Sequence, residues 1–581
     1  MLDRDRMDGI GSVAGPGTLA SDAMGPSGTS VAGELMRHAL YSGRVAFGLI
    51  SDSNGLSQDN GLLGGMCIAM RAGLPCFGTG IWPALGTRNK YSHSGGGGWT
   101  SLYPRYNWSI PTNGVRNGLP VGSGAASALT NVAWNDALGT LTLGASIPTA
   151  LSTYTFNAGD TISVTMAYNA SNVAITAPRG DYPISAFNGT NMLTIAAGSF
   201  GTSTAYVSLN VNPGNTSASS LAGISQAYAA QWNMPISWIP FGGATYHVAS
   251  GSQWISANMM VASKDGVLPV NGNVAVSVIG FAETGGTLGN ASIYEFDGTT
   301  LTNQFAVAAH AGSGAAGTFQ VVRATSTPAD RISGNTREYV CFGSNMSAQI
   351  TGPASMFCSH ACNASMPFGV SLSPFIMRGG HSTWDVANVL AFATDATIRN
   401  YLAALADQCA VACGGTGVRR VCLIVNGGFN DDQDARLDKG GNGLASYTPD
   451  GYYYNLKAVV TRLRAMWDSQ YGAGASDSEL YFMFVPSHPI SDTPSAAPAS
   501  PPSTANDRQG LRALQVGAAQ RLAAIYPGCF CIDLFAALGA TPYTKLYNCG
   551  FTPGTDHIHL APAGYSLVAQ AIVNCMRSAG P

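Results

Sequence analysis

From residue 354 to the end of this 581-residue chain, apolar runs take turns with helix-length segments. A helix is predicted over roughly 394–412, then a strand in VRRVCLIVN. A second helix follows in YYYNLKAVVTRLRAMWDSQYG, then a strand in ELYFMFVPS. The Pro/Ala/Ser loop SDTPSAAPASPPSTAND precedes a helix in DRQGLRALQVGAAQRLAAIYPG, a strand in CFCIDLF and a last helix in PAGYSLVAQAIVNCMRS. Strands separated by helices of this length need crossover connections, and crossovers build a parallel sheet covered by helices. Residues 42–82 read as one more such unit, with the strand RVAFGLIS, a turn, the helix NGLLGGMCIAMRAG and a short strand in PCFGTGIWP.

Between about 120 and 350 the period changes. GTLTLGASI, DTISVTMAY, TAYVSLNV, GNVAVSVIGF and GTFQVVRAT set β-branched residues between Gly, Asn and Asp turns, with almost no helical period. This reads as antiparallel β structure, a sandwich or jelly roll, with room for two lobes and a break near 213–235. The expected fold class is therefore α/β: a three-layer parallel sheet split by an inserted all-β domain. The expected boundaries are a flexible Gly/Ser/Pro-rich arm at 1–30, a first α/β part at 31–118, the β insertion at 119–353 and a second α/β part at 354–581. A chain this long exceeds one ordinary core. The segment GGGGWTSLYPRYNW at 95–108 reads as a linker.

Charged residues make up 10% of the chain, against a usual fraction of about a quarter, and net charge is −3. With no long basic run, nucleic acid and anionic membranes are poor partners. No apolar run reaches the ~18–20 residues of a membrane span, and the N-terminus lacks the apolar core of a secretory signal. A charge-poor, Gly-rich surface points to an extracellular or virion-associated protein, and such β surfaces favour homo-oligomer or particle assembly. Twelve cysteines avoid residues 77–340. Most lie in apolar patterns and read as buried free thiols behaving as small hydrophobes. The nearest approach to a zinc spacing is CSHAC at 358–362, which lacks a second pair.

Several apolar runs end in small or polar residues that could carry chemistry. RVAFGLI ends in Ser-Asp-Ser-Asn-Gly, offering Ser53 as a nucleophile at a strand end. FIMRGGHST places Gly379 and Gly380 after another run, where a backbone N–H meets no side-chain obstruction. VCLIVNGGFND places Asn430 and Asp431 after a third. GTDHIHLAPAGY puts Asp556 and His559 three apart before the last helix. A serine nucleophile needs a base, and the base needs an acceptor for its other ring nitrogen. Each motif alone also fits an ordinary Asx or glycine turn.

Taken in order, these motifs resemble the SGNH, or GDSL-type, hydrolase family. Ser53 in SDSN matches the block I serine, Gly380 in GGHST the block II glycine with Gly379 as fallback, Asn430 in GFND the block III asparagine, and Asp556 and His559 the block V pair. The resemblance covers 42–82 and 354–581, less than half the chain. It implies a Ser53–His559–Asp556 triad and an oxyanion hole from Ser53, Gly380 and Asn430, with no metal and no cofactor. Two features depart from the pattern. Ser51 stands where the family has glycine, and His557 competes with His559, which the spacing and the following LxPxGY favour.

Some members of that family, among them viral haemagglutinin-esterases and certain phage tail-spike deacetylases, look similar in carrying a β-rich module inside the esterase. The resemblance therefore implies a carboxylic ester hydrolase acting on O-acyl, above all O-acetyl, groups of a glycan. Trp99, Tyr103, Tyr106, Trp108, Trp232, Trp238 and Trp254 are candidates to stack on sugars, although most such aromatics belong to cores. The alternative is a structural or adhesive particle protein that keeps the fold as a scaffold with little or no turnover.

Overall fold

The structure, a computed structural model, describes residues 19–56, 61–78, 80–83, 108–109, 115–116, 119–120, 129–143, 161–171, 173–175, 180–183, 185–188, 190–212, 246–248, 252–253, 256–257, 259–261, 274–282, 287–296, 301–311, 320–325, 339–342, 350–351, 354–377, 381–392, 395–495, 504–539, 543–552 and 559–580. It is a mixed α/β protein with one parallel sheet and separate antiparallel sheets. The parallel sheet has five strands: β1 (Arg44–Ser51), β2 (Gly369–Met377), β3 (Val421–Gly427), β4 (Leu480–Pro486) and β5 (Cys529–Cys531). Their order is β2-β1-β3-β4-β5, every pair parallel.

β1 is buried along its whole length, as a strand covered on both faces must be. Its alternate residues serve two cores. Val45, Phe47 and Leu49 pack with Leu35 of α1 (Leu19–Arg37), Met66 of α2 (Leu62–Gly73) and Ile572 of α7 (Pro562–Ser578). Ala46 and Ile50 face the other layer, with Leu402 of α4 (Asp395–Asp407), Leu456 of α5 (Pro449–Tyr471) and Leu522 of α6 (Ala505–Ala523). Gly48 lets that layer approach, since a Cβ there would lie 2.9 Å from Leu423 Cδ2 and 3.2 Å from Leu405 Cδ1.

The registers align the strand ends. Ser51 lies opposite Met377 of β2 and opposite Asn426 of β3. The chain leaving each of the three strands therefore emerges at one carboxyl edge, where open parallel sheets form their crevices.

Two expectations need correction. Residues 19–30 are helical rather than a flexible arm, and Ala23 and Met24 are buried. Composition misleads here because Gly25 and Pro26 mark a kink inside the helical run, with Gly25 at φ 69°. Gly28 keeps the helix close to the sheet, since a Cβ there would sit 3.5 Å from Phe530 Cβ. Residues 1–18 lie outside the described residues. The second correction concerns Ala354–Asn363, expected in the α/β part. This segment is an antiparallel strand paired from end to end with Val274–Ala282, whose ladder satisfies its backbone.

Antiparallel pairing begins as early as Trp82–Pro83, which also pairs with Ala354–Asn363. A further sheet of eight strands is built within residues 129–212, centred on Thr161–Tyr168 and Tyr206–Asn212. The expected break at 213–235 and the linker up to 107 lie outside the described residues. Among the described residues ten cysteines are free and eight of these are buried. No described helix is long and apolar enough to cross a membrane.

Arg44 opens β1 fully buried and is held by main-chain carbonyls. Its guanidinium donates to Gln408 O at 2.8 Å, Asn363 O at 2.6 Å and Met366 O at 2.9 Å. It thus ties the end of α4, and the chain entering β2, to the sheet. Arg44→Met leaves these buried acceptors unpaired, and the expected loss is about 2–5 kcal/mol of unfolding free energy, read by urea denaturation. A loss under ~0.5 kcal/mol would show that the arginine is not a structural tie.

Candidate active site

Ser53 opens a single helical turn, Ser53–Leu56, directly after β1. Its Oγ lies 2.8 Å from His559 Nε2, across 506 positions of sequence. His559 stands three residues before α7. The structure therefore brings together the serine and the histidine singled out by the motifs. Gly379, Gly380, Asp556 and His557 lie outside the described residues.

Asp52, buried, organises the serine turn. Its Oδ1 accepts the Asn54 main-chain N–H at 2.8 Å and the Asn54 amide at 3.0 Å, an Asx arrangement that fixes the backbone around Ser53. Its Oδ2 accepts from Asn430 Nδ2 at 2.8 Å. Burial raises the Asp52 carboxyl pKa, against the Asn54 hydrogen bonds and the positive potential of His559 and His381. Gly55 is sterically required, because a Cβ there would lie 2.4 Å from Ser51 Cβ.

A second tie runs to α7. Tyr565 donates its hydroxyl to Asn54 Oδ1 at 2.6 Å. The same stretch of α7 crosses α2 at Gly65, where a Cβ would meet Tyr565 O at 2.8 Å. The first turn of α7 is thus fixed to the serine turn by a hydrogen bond and to α2 by close backbone packing. His559, just upstream, is delivered to Ser53 by that anchorage.

Ser51, at the end of β1, has a partner of its own. Its hydroxyl donates to Asn426 Oδ1 at 2.9 Å, and Asn426 Nδ2 donates to Val485 O at 3.0 Å. These two bonds stitch the ends of β1, β3 and β4 together.

Asn430 reaches the site with its amide engaged. Nδ2 donates to Asp52 Oδ2 and, at 2.9 Å, to the His381 carbonyl. The two carboxylates that follow are buried anchors. Asp431 accepts from the Thr383 N–H at 2.9 Å and from its hydroxyl, tying the chain after β3 to the start of α3 (Thr383–Phe392). Burial pushes the Asp431 carboxyl well above its usual range. Asp432 accepts from Arg508 Nε at 3.1 Å, Arg512 Nη2 at 2.8 Å and Gln515 Nε2 at 3.0 Å, all from α6. Burial raises its pKa too, and the two arginines oppose that rise. Arg512 also lies over the Phe429 ring, 3.7 Å from its centroid.

The motif reading missed Asp52, Tyr565 and the α6 anchors. A signal existed for the last group: Arg508, Arg512 and Gln515 recur at i, i+4 and i+7, the period of one helical face. A serine hydroxyl hydrogen-bonded to an imidazole at the carboxyl edge of a parallel sheet is the pairing that nucleophilic hydrolysis uses.

No family profile matches the sequence, and no curated protein matches it. Among solved structures the chain is similar to a peptidoglycan O-acetylesterase, at 10% identity over 95% of both chains with a TM-score of 0.41. It is similar at a TM-score of 0.19 to the N-terminal modules of an endo-1,4-β-D-xylanase from Clostridium thermocellum complexed with xylohexaose. There the identity is 11% over 50% of this chain and 62% of that one.

Asp432→Ala strands two arginines, both nearly buried, without their carboxylate. The expected loss is about 3–5 kcal/mol of stability, measured by chemical denaturation. An unchanged denaturation midpoint would mean that the Asp432 carboxylate is not what ties the Phe429–Asn430–Asp431 loop to α6.

Proposed function

We propose that the protein is a serine esterase of the SGNH type that hydrolyses O-acyl esters, with O-acetyl groups on a carbohydrate as the foremost substrate class. The observation that carries this reading is the 2.8 Å contact between Ser53 Oγ and His559 Nε2. Ser53 Oγ attacks the ester carbonyl while Nε2 takes its proton, and the imidazolium then protonates the leaving alcohol. Water, activated by the same imidazole, hydrolyses the acyl-serine. Asp556 acts on Nδ1 to orient the ring. The tetrahedral oxyanion is held by the Ser53 and Gly380 N–H groups and the Asn430 amide. For Asn430 to contribute, the oxyanion displaces the His381 carbonyl from Nδ2, while the Asp52 bond keeps the amide aimed. This chemistry requires neither metal nor cofactor.

The antiparallel strands between β1 and β2 in sequence are read as an inserted β domain with a carbohydrate-facing role, consistent with the charge-poor composition. Ser53→Ala should lower turnover of a small acetyl ester by about 10⁴–10⁶-fold, with circular dichroism and melting unchanged. Acetate release from acetylated glycans then names the alcohol. A fluorophosphonate should label Ser53 in the native protein. Silence from a well-folded sample would instead favour the scaffold alternative. Asn430→Ala is expected to lower kcat by about 10²–10³-fold, the usual effect of deleting one oxyanion donor. An unchanged kcat would remove Asn430 from the oxyanion hole.

A further inference from the structure

Away from Ser53, the strand Ala354–Asn363 carries His360 and Cys362 two positions apart and therefore on one face. A 3₁₀ turn, Val411–Cys413, follows α4 and brings Cys413 to the same point. All three side chains are buried, and their ligand atoms lie within 4.8 Å of one another. His360 Nδ1 is 3.5 Å from Cys362 Sγ. His360 Nε2 lies 2.8 Å from Asp407 Oδ2, which also holds Arg323. With Asp407 accepting at Nε2, the Nδ1 lone pair points toward the thiols. Ser277 Oγ and Asp407 Oδ2 each lie 3.9 Å from Cys413 Sγ. Gly414, at φ 84°, allows the turn to press against the end of the strand, where a Cβ would meet Ala364 O at 2.1 Å.

We propose that His360 Nδ1, Cys362 Sγ and Cys413 Sγ bind a zinc ion that clamps the antiparallel strand to the turn after α4. Three features carry this. Tetrahedral zinc, with bonds of ~2.3 Å to sulfur and ~2.0–2.1 Å to nitrogen, places a sulfur and a nitrogen ligand about 3.6 Å apart, close to the observed His360–Cys362 separation. The carboxylate on the far ring nitrogen is the partner that orients metal-ligating histidines. Charge also balances. Two thiolates and a neutral imidazole offset the divalent ion, and Asp407 with Arg323 forms a neutral pair beside it, so the buried site carries no net charge. These three protein ligands leave the fourth tetrahedral position to a non-protein ligand such as water. The CSHAC motif thus finds its missing ligand 51 positions downstream, in a segment that sequence spacing does not connect to it. The site is independent of Ser53 and of the esterase reading.

The test uses the full-length, untagged protein purified with reductant and without chelator. Elemental analysis should give about one zinc per chain. Cys413→Ser and Cys362→Ser should each lose it, whereas Cys549→Ser, at an exposed thiol, should retain it. Should the ligand variants fail to fold, cobalt exchange into the native protein decides: thiolate-to-cobalt charge-transfer absorption supports the site. The proposal is overturned by a native protein that takes up no zinc or cobalt after reconstitution. It is equally overturned by copper in place of zinc, or by peptide mapping that shows a Cys362–Cys413 disulfide.

Discussion

The parallel pairing of β1 with strands from the far half of the chain is the constraint on which the rest depends. Ser51 lies level with Met377 and Asn426, so whatever follows those three strands converges at one edge. A parallel ladder buried on both faces tolerates no slip of a single residue here, since the Val45/Phe47/Leu49 set would exchange places with Ala46/Ile50 and each core would receive the other's side chains. Register therefore sets where β1 delivers the turn that carries Ser53.

Around that edge lies polar machinery that is buried. Asp52, Asp431 and Asp432 are all buried, and each accepts more than one hydrogen bond. Burying a carboxylate is unfavourable, and the hydrogen bonds that it accepts offset part of that penalty. These groups repay that penalty in geometry: Asp52 holds the serine turn and Asn430, Asp431 joins two loops, and Asp432 locks one of them to α6. Tyr565 extends the same logic to α7, so the imidazole approaches from an anchored helix rather than from a free tail.

Much of this was legible in sequence because periodicity is a local property. The alternation from 394 onward marks α4 through α7 with β3 to β5, and the motif order singles out Ser53 and His559, which lie in contact. What escaped notice depends on tertiary placement. The Gly and Pro around 25–28 read as an arm because their use, a kink and a close approach to Phe530, is visible only against β5. Ala354–Asn363 reads as the start of the second α/β part until its antiparallel partner is known. Asp52 reads as a turn residue, and its second role needs Asn430, 378 positions away. Cys413 reads as a small hydrophobe until the turn after α4 meets the strand holding His360.

The separation between β1 and its neighbours also bears on biogenesis. During synthesis RVAFGLI leaves the ribosome long before β2 or β3 exists. At about 5–20 residues per second, the wait for Gly369 lasts some tens of seconds. Over that interval a sticky nascent segment has no native mate, and its burial comes late, through contacts of high sequence separation that close slowly. Productive maturation of this polypeptide therefore depends on shielding the segment, by α1 and α2 folding over it or by a chaperone, until translation has passed the middle of the chain.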